Sequence, residues 1–168
     1  MDGHVAYIGI GSNLDNPEQQ VRRAFDALAR LPRSRLLGVS RLFRTRPWGH
    51  LAQPDFINAA ASVDTRLSPR GLLEALLAIE RAAGRHRDGT RWGPRRIDLD
   101  ILLYDDRIVD ETDLRIPHPH IGEREFVLLP LADLDSGLVI PGQGRVGDLL
   151  AHLDARGATP IAEKTAAP

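Results

Sequence analysis

Asp98 and Asp100 sit two residues apart in the apolar run Ile97-Asp-Leu-Asp-Ile-Leu-Leu-Tyr104, directly after a segment dense in arginine. A strand sends alternate side chains to opposite faces, so Ile97, Leu99, Ile101 and Leu103 are expected to face a core and both aspartates the other side. Two carboxylates this close repel each other unless a cation lies between them. A hard divalent ion held by one or two carboxylates and completed by phosphate oxygens is the usual form of Mg²⁺ in phosphoryl transfer. Arg81, Arg85, Arg87, Arg91, Arg95 and Arg96 offer matching anion clamps, against the single acid Asp88. The combination reads as the phosphate end of a nucleotide site. The plainer alternative is a strand with a solvated polar face beside a basic surface, and an Asp-x-Asp pair alone is a weak pattern.

The elements that must position these groups follow from periodicity. Val5 to Ile10 reads as a strand ending in the turn Gly11-Ser12-Asn13. Asn16-Pro17 opens a helix whose apolar face is Val21, Ala24, Phe25, Leu28 and Leu31, stopped by Pro32. Leu36 to Arg44 reads as a second strand and Asp55 to Asp64 as a third. In the third, Ile57, Ala59, Ala61 and Val63 alternate with Phe56, Asn58, Ala60 and Ser62. Ser68-Pro69 opens a second helix with the stripe Leu72, Leu73, Leu76, Leu77, Glu80 and Ala83, closed by Gly84. The aspartate strand comes next. The order β-α-β-β-α-β is that of an α+β, ferredoxin-like core with a mainly antiparallel sheet and helices packed on it. In that fold the first strand is central, so Phe56/Asn58 and Asp98/Asp100 would flank it, with Gly9 and Gly11 leaving room between them. Beyond Tyr104 a C-terminal extension is expected: a stiff Ile116-Pro-His-Pro-His120 segment, a helix over 123–134 with a break or kink at Pro130, a turn-rich stretch over 137–147, and a short helix over 146–153. Residues 1–153 are expected to form a single domain and 154–168 a flexible tail.

Composition limits the function classes. The chain has 168 residues, 42% hydrophobic and 27% charged, with a net charge of -1. That is an ordinary globular composition without the basic field of a nonspecific nucleic-acid binder. There is no cysteine, hence no disulfide and no thiolate metal site. No apolar run approaches the ~20 residues of a membrane span, and the N-terminus lacks signal-peptide regions, so the cytoplasm is the expected location. Lys164 is the only lysine, so it is the clustering of arginine that carries information.

Other residues suggest a heterocycle nearby. Phe56 and Asn58 share a strand face, and a mid-strand Asn is disfavoured; together a ring can stack and an amide can read a polar edge. The long segment 81–96, punctuated by Gly84, Asp88-Gly89 and Gly93-Pro94, reads as a lid or binding loop. His118 and His120 lack a third nitrogen or sulfur ligand for zinc, and a phosphate contact from His118 or a plain loop histidine are equally open.

Taken together, Tyr7-Ile-Gly-Ile-Gly-Ser-Asn13, Phe43-Arg-Thr-Arg-Pro-Trp-Gly49, Gln53-Pro-Asp-Phe-Ile-Asn-Ala59, Arg91-Trp-Gly-Pro-Arg-Arg-Ile-Asp-Leu-Asp-Ile101 and Ile116-Pro-His118 resemble the 6-hydroxymethyl-7,8-dihydropterin pyrophosphokinase family over roughly residues 4 to 153. The resemblance implies Mg²⁺-dependent transfer of diphosphate from ATP to the hydroxymethyl group of the reduced pterin, with release of AMP, in folate biosynthesis. It implies that Asp98 and Asp100 hold two Mg²⁺ ions and, with Arg85 and Arg95, form the catalytic set. It assigns Glu80, Arg85, Arg87, Trp92, Arg95, Ile101, His118 and Arg124 to ATP. It assigns Thr45, Pro47, Trp48, Phe56, Asn58, Asp98 and Phe126 to the pterin, with Phe56 and Phe126 sandwiching the ring. Arg46, Asp113, Arg115 and Pro119 depart from the family pattern, and no role is carried onto Asp113 or Arg115. A monomer with no nucleic-acid or membrane partner is expected. Two alternatives rest on the fold order and on the carboxylate pair: an RNA-binding module and a two-metal nucleotidyltransferase or cyclase.

Overall fold

The computed structural model describes residues 3–45, 54–84, 97–153 and 158–161. Its strands are β1 (His4–Ser12), β2 (Ser34–Val39), β3 (Phe43–Thr45), β4 (Phe56–Thr65), β5 (Asp98–Tyr104), β6 (Val109–Glu111), β7 (Leu114–Ile116), β8 (Val139–Ile140), β9 (Gly144–Arg145) and β10 (Ala158–Pro160). Its α-helices are α1 (Pro17–Ala29), α2 (Pro69–Ala82), α3 (Glu125–Leu134) and α4 (Val146–Ala151), with a 3-10 turn at Ile121–Glu123. The sheet order is β10-β3-β4-β1-β5, with β2 also paired to β4, and every described pairing is antiparallel. β1 is therefore flanked by β4 and β5, as the ferredoxin-like reading requires. No described helix is long and apolar enough to cross a membrane.

The sheet is covered on both faces. Val21, Ala24 and Leu28 of α1 and Leu72 and Leu76 of α2 pack with Ile8, Ile10, Ala59, Ala61, Leu99 and Ile101 into one core. Leu128 and Leu131 of α3 and Val146 of α4 pack with Ala60, Leu102, Leu103, Ile121 and Ile140 into a second. Ala60 and Ser62 are buried for this reason, although a simple one-sided sheet would expose them.

Strand parity on β5 differs from simple alternation. β1 and β5 pair as Ile8↔Ile101, then Tyr7↔Leu103, which leaves Leu102 as an extra residue. This is a β-bulge, and it turns the rest of the strand over. Ile97, Leu99 and Ile101 lie in the first core, Leu102 and Leu103 in the second, and Tyr104 returns to the first. Leu103 thus faces away from Ile101, contrary to the expected alternation, because the bulge places two successive side chains under α3 and α4.

Other expectations need adjustment. The second strand is split into β2 and β3. At the break the Ala60 N–H donates to Ser40 Oγ (2.8 Å) instead of to a ladder carbonyl, while the Ser40 N–H donates to Ala60 O (2.8 Å). Arg41 then grips Asp133 of α3 through its backbone N–H (2.7 Å) and Nε (3.0 Å). Ser68 caps α2 as expected, its Oγ accepting from the Gly71 N–H at 3.0 Å. Asn16 sits before Pro17 but in the left-handed region (φ 64°), where its side chain makes no cap hydrogen bond. Arg81 belongs to the last turn of α2 and so is not part of a loop over 81–96. α3 continues through Pro130 without a break. The hairpin of β6 and β7 had no clear signal in the sequence. Within the segment read as a tail, Ala158–Pro160 pairs with β3 and the Ile161 N–H donates to Leu42 O at 2.8 Å. The open edge of β3 offers unpaired backbone groups that a short strand can satisfy.

The Ser40 junction predicts a stability effect. Ser40→Ala leaves the buried Ala60 N–H without its acceptor and should cost about 1–3 kcal/mol, read as a lower midpoint in urea unfolding. An unchanged midpoint would show that the serine is not what holds the break.

Candidate active site

The second sheet face changes character along its length. Where α3 and α4 cover it, the strands present Tyr7, Ala60, Leu102 and Leu103. Further on, two rows of cross-strand partners run Ala60, Gly9, Asp100 and then Asn58, Gly11, Asp98. The β1 positions in both rows are glycine, so no β1 side chain projects between the amide on one side and the carboxylates on the other. Two strand spacings separate the Asn58 and Asp98 backbones, on the order of 10 Å. Gly11 is needed on steric grounds: a Cβ there would lie 2.9 Å from Asn58 Oδ1 and 3.9 Å from Phe56 Cδ1. At Gly9 a Cβ would press on Leu102 at 3.1 Å.

The ring side of this face is built by β3, β4 and α3. Asn58 Nδ2 donates to Thr45 Oγ1 at 2.6 Å, which orients the amide. Thr45 is buried, and its strand partner is Phe56. Asn13 Nδ2 donates to Pro54 O at 3.0 Å, tying the end of β1 to the residues leading into β4. Phe126 lies in the first turn of α3, half-buried, with the Arg124 guanidinium 5.5 Å from its ring centre.

The charged side is built around the free edge of β5. The Leu99 N–H, between the two aspartates, donates to Glu80 Oε2 at 2.7 Å. Glu80 is only 2% exposed on the last turn of α2, so a carboxylate on an otherwise apolar stripe is spent on the strand that carries Asp98 and Asp100. One bulge further, the His118 N–H donates to Leu102 O at 3.1 Å, which fixes His118 to the same edge. His118 Nδ1 accepts from the His120 N–H at 3.3 Å, so the proton of the neutral ring resides on Nε2. Burial, then the charges of Arg124 and His120, lower the His118 pKa to about 4 against the counter-pull of Asp98. Burial likewise lowers that of Arg124, opposed by Asp100 and Glu123. His118, Arg124, Asp98 and Asp100 thus lie within each other's electrostatic reach.

Beside the aspartates is a cavity of about 300 Å³, within the size range of small-molecule sites. Leu73 of α2, Leu99 to Ile101 of β5, the β6–β7 hairpin from Thr112 to Arg115, and His118 line it. Arg70 fastens that hairpin to the first turn of α2: its Nη1 reaches both Asp113 oxygens at 2.9 Å and its Nη2 meets Glu111. The Arg70 guanidinium holds the Asp113 carboxyl below the usual carboxylate range. Leu73, Thr112 and the hairpin were missed by sequence reasoning, and only the stripe position of Leu73 hinted at its place. Asp113 and Arg115, to which no role was given, are at the cavity wall.

The structure thus brings Asp98, Asp100, Glu80, Ile101, His118 and Arg124 to one edge, and Thr45, Phe56 and Asn58 to the neighbouring strands, with Phe126 above the same face. Pro47, Trp48, Arg85, Arg87, Trp92 and Arg95 lie outside the described residues, as does most of the proposed lid.

Asp98 and Asp100 fit a hard divalent cation by their chemistry. They supply oxygen donors only, on one strand face, opposite side-chain-free glycines. Among the described residues no three carboxylate, imidazole or thiol groups converge into a cage, so the donor set suits a cation shared with phosphate oxygens and water.

Comparison with known proteins agrees with this geometry. The family model for 7,8-dihydro-6-hydroxymethylpterin-pyrophosphokinase matches residues 7–136. The 2-amino-4-hydroxy-6-hydroxymethyldihydropteridine pyrophosphokinase of Pseudomonas aeruginosa is 48% identical over 145 residues, covering 86% of this chain and 89% of that protein. That of Methylorubrum extorquens is 45% identical over 152 residues, covering 90% and 95%. Among solved structures, an HPPK-DHPS in complex with substrates superposes with a TM-score of 0.73 at 12% identity. It is matched over 95% of this chain but only 47% of its own length, so that likeness shows the fold alone. The chain belongs to the 7,8-dihydro-6-hydroxymethylpterin-pyrophosphokinase family and is, with it, an ATP-dependent diphosphotransferase.

Proposed function

We propose that this enzyme transfers the terminal diphosphate of ATP to the hydroxymethyl group of 6-hydroxymethyl-7,8-dihydropterin, with Mg²⁺ and with release of AMP. The observation that carries the reading is the row Asn58, Gly11, Asp98, which sets an amide suited to a polar ring edge across a bare glycine from a carboxylate suited to a metal. On this reading Phe56 and Phe126 stack on the ring, and Asn58, held by Thr45, reads its edge, with Pro47, Trp48 and Asp98 lining the same pocket. Leu73, Ile101 and the β6–β7 hairpin enclose the nucleoside end of ATP in the 300 Å³ cavity.

Asp98 and Asp100 would hold Mg²⁺, which would supply Lewis-acid withdrawal of charge from the triphosphate. The chain's own residues do the remaining work. The neutral His118 donates from Nε2 and Arg124 donates from its guanidinium toward phosphate oxygens. Arg85, Arg87, Arg95 and Trp92 complete the nucleotide side. Glu80 acts through Leu99, its carboxylate accepting the N–H between the two aspartates and so anchoring that stretch of β5. The pterin hydroxyl attacks the β-phosphorus and gives up its proton to solvent, while the bond from that phosphorus to the α–β bridging oxygen breaks and leaves that oxygen and the electron pair on AMP. Holding the two substrates in line can be worth about 7–11 kcal/mol of barrier. We further assign residues 1–153, with β10 added at the edge of their sheet, to one catalytic domain working as a monomer in the cytoplasm.

Mass spectrometry of a reaction containing the enzyme, ATP, Mg²⁺ and the reduced pterin alcohol should find AMP and a diphosphorylated pterin. Release of pyrophosphate instead would overturn the reading in favour of nucleotidyl transfer. Asp98→Asn and Asp100→Asn should each lower kcat by at least about 10²-fold while far-UV circular dichroism stays unchanged. Near-normal turnover in either variant would remove the metal assignment.

Gly11→Ala puts a methyl group against the Asn58 amide and should raise the pterin KM about tenfold while leaving the ATP KM unchanged, as overpacking costs of about 1–3 kcal/mol imply. Steady-state kinetics with each substrate varied in turn checks this.

His118 sets a pH dependence in the ligand-free protein. Its pKa is about 4 in the folded state against an ordinary 6.5, so the unfolded chain binds more protons between these values. Stability should fall as pH drops from 6.5 toward 4 and take no further loss from this group below that. Urea unfolding across the range should show a shallower slope for His118→Asn, and the wild-type ring should titrate near 4 by NMR.

A further inference from the structure

The row that places Asn58 and Asp98 does not end at β4. It continues outward through Phe43 of β3 to Pro160 of β10, so that five strands contribute to one line: Pro160, Phe43, Asn58, Gly11, Asp98. The neighbouring row runs Ala158, Thr45, Phe56. The ring-side residues Asn58 and Phe56 thus lean on β3, and β3 leans on the C-terminal strand.

Among the described residues β3 has little else to hold its outer edge. It is three residues long, and strands this short gain stability from neighbours on both sides. On its inner side it pairs with β4. On its outer side the strand that pairs with it, among the described residues, is β10. The next residue after β10 strengthens the contact: the Ile161 N–H donates to Leu42 O at 2.8 Å, and the Ile161 side chain packs against the first core. Because Ile161 directs its N–H toward β3, the preceding Pro160 directs its nitrogen outward, where the missing donor costs nothing and blunts the new sheet edge. α3 packs across both β3 and β10.

We propose that this C-terminal strand is a positioning element of the ring pocket: by closing the outer edge of β3 it fixes the Thr45 hydroxyl, and through it the Asn58 amide. The inference rests on the pterin reading above. Thr45 Oγ1 accepts from Asn58 Nδ2 at 2.6 Å, so any fraying of β3 frees the amide to rotate and weakens recognition of a ring edge. The nucleotide cavity lies at the opposite margin of the sheet, beyond β5, and does not depend on β10. The signature of the role is therefore a split between the two substrates.

Two variants test it, the full-length Ile161→Asp and a chain ending at Leu153. Each should raise the pterin KM about tenfold, with kcat and the ATP KM within about twofold of the parent enzyme. A synthetic peptide spanning 154–168 should restore the pterin KM of the shortened chain by strand addition. An unchanged pterin KM in Ile161→Asp, or equal rises for both substrates, would overturn the proposal. If the shortened chain fails to fold, the point variant decides. Amide hydrogen exchange gives a readout that is independent of the substrate. Exchange should quicken at residues 43–45 and 56–58 in both variants and stay unchanged at 98–101, and no change at 43–45 would sink the inference. If the parent enzyme fails to consume the pterin while exchange behaves as stated, the functional reading falls and the structural role of β10 stands.

Discussion

One sheet face has to be dry at one end and wet at the other, and the bulge at Leu102 reconciles the two on a single strand. Before it, β5 alternates strictly, with Leu99 and Ile101 under α1 and α2 and with Asp98 and Asp100 on the far side. At the bulge, two leucines in succession enter the second core beneath α3 and α4. The second core therefore begins immediately beside the carboxylates without covering them. Gly9 completes the boundary, since a side chain there would press on Leu102. The apolar packing that holds α3 in place also sets Phe126 and Arg124 over the polar half of the face.

Edge strands carry unpaired backbone groups, and this protein uses them as mounting points. On the β5 edge, Leu99 is held by the Glu80 carboxylate and Leu102 by the His118 backbone. At the break between β2 and β3, Ser40 and Asp133 take the same part. The outer edge of β3 is taken by β10. The hydrogen bonds that keep the sheet edges satisfied are thus the same ones that orient the candidate site. The Arg70 contacts to Glu111 and Asp113 differ in kind: they are exposed ion pairs between a helix and a hairpin, and so are open to screening by salt.

The strongly periodic parts were legible in the sequence. The two proline helix starts with the Ser68 cap, the central β1 and the shared face of Phe56, Asn58, Asp98 and Asp100 follow from 3.6- and 2-residue repeats and from ferredoxin-like connectivity. What failed were features set by tertiary context. A bulge leaves no mark in a run of leucines, so Leu103 was placed on the wrong face. The split after Val39 depends on a serine hydroxyl replacing a carbonyl across the sheet, which no local preference encodes. Ala158–Pro160 is too short and too mild in composition to read as a strand until β3 is seen to need one. The cavity wall from Thr112 to Arg115 sits on a hairpin of two three-residue strands held by a distant arginine. Asn58, by contrast, was visible as a polar group in mid-strand, while Glu80 read only as one position of the α2 stripe; both carry contacts that the site depends on.

The alternation of β5 also protects against misassembly. If the strand slid by one position along β1, both acidic groups would be driven into the hydrocarbon beneath α1 and α2, and leucines would be stranded in water. Burying even one ionised group without a partner costs several kcal/mol, a sizeable share of the ~5–15 kcal/mol by which a domain of this size is stable. The residues suited to chemistry therefore act during folding as a register check, because the competing alignments are the ones in which the carboxylates have nowhere tolerable to go.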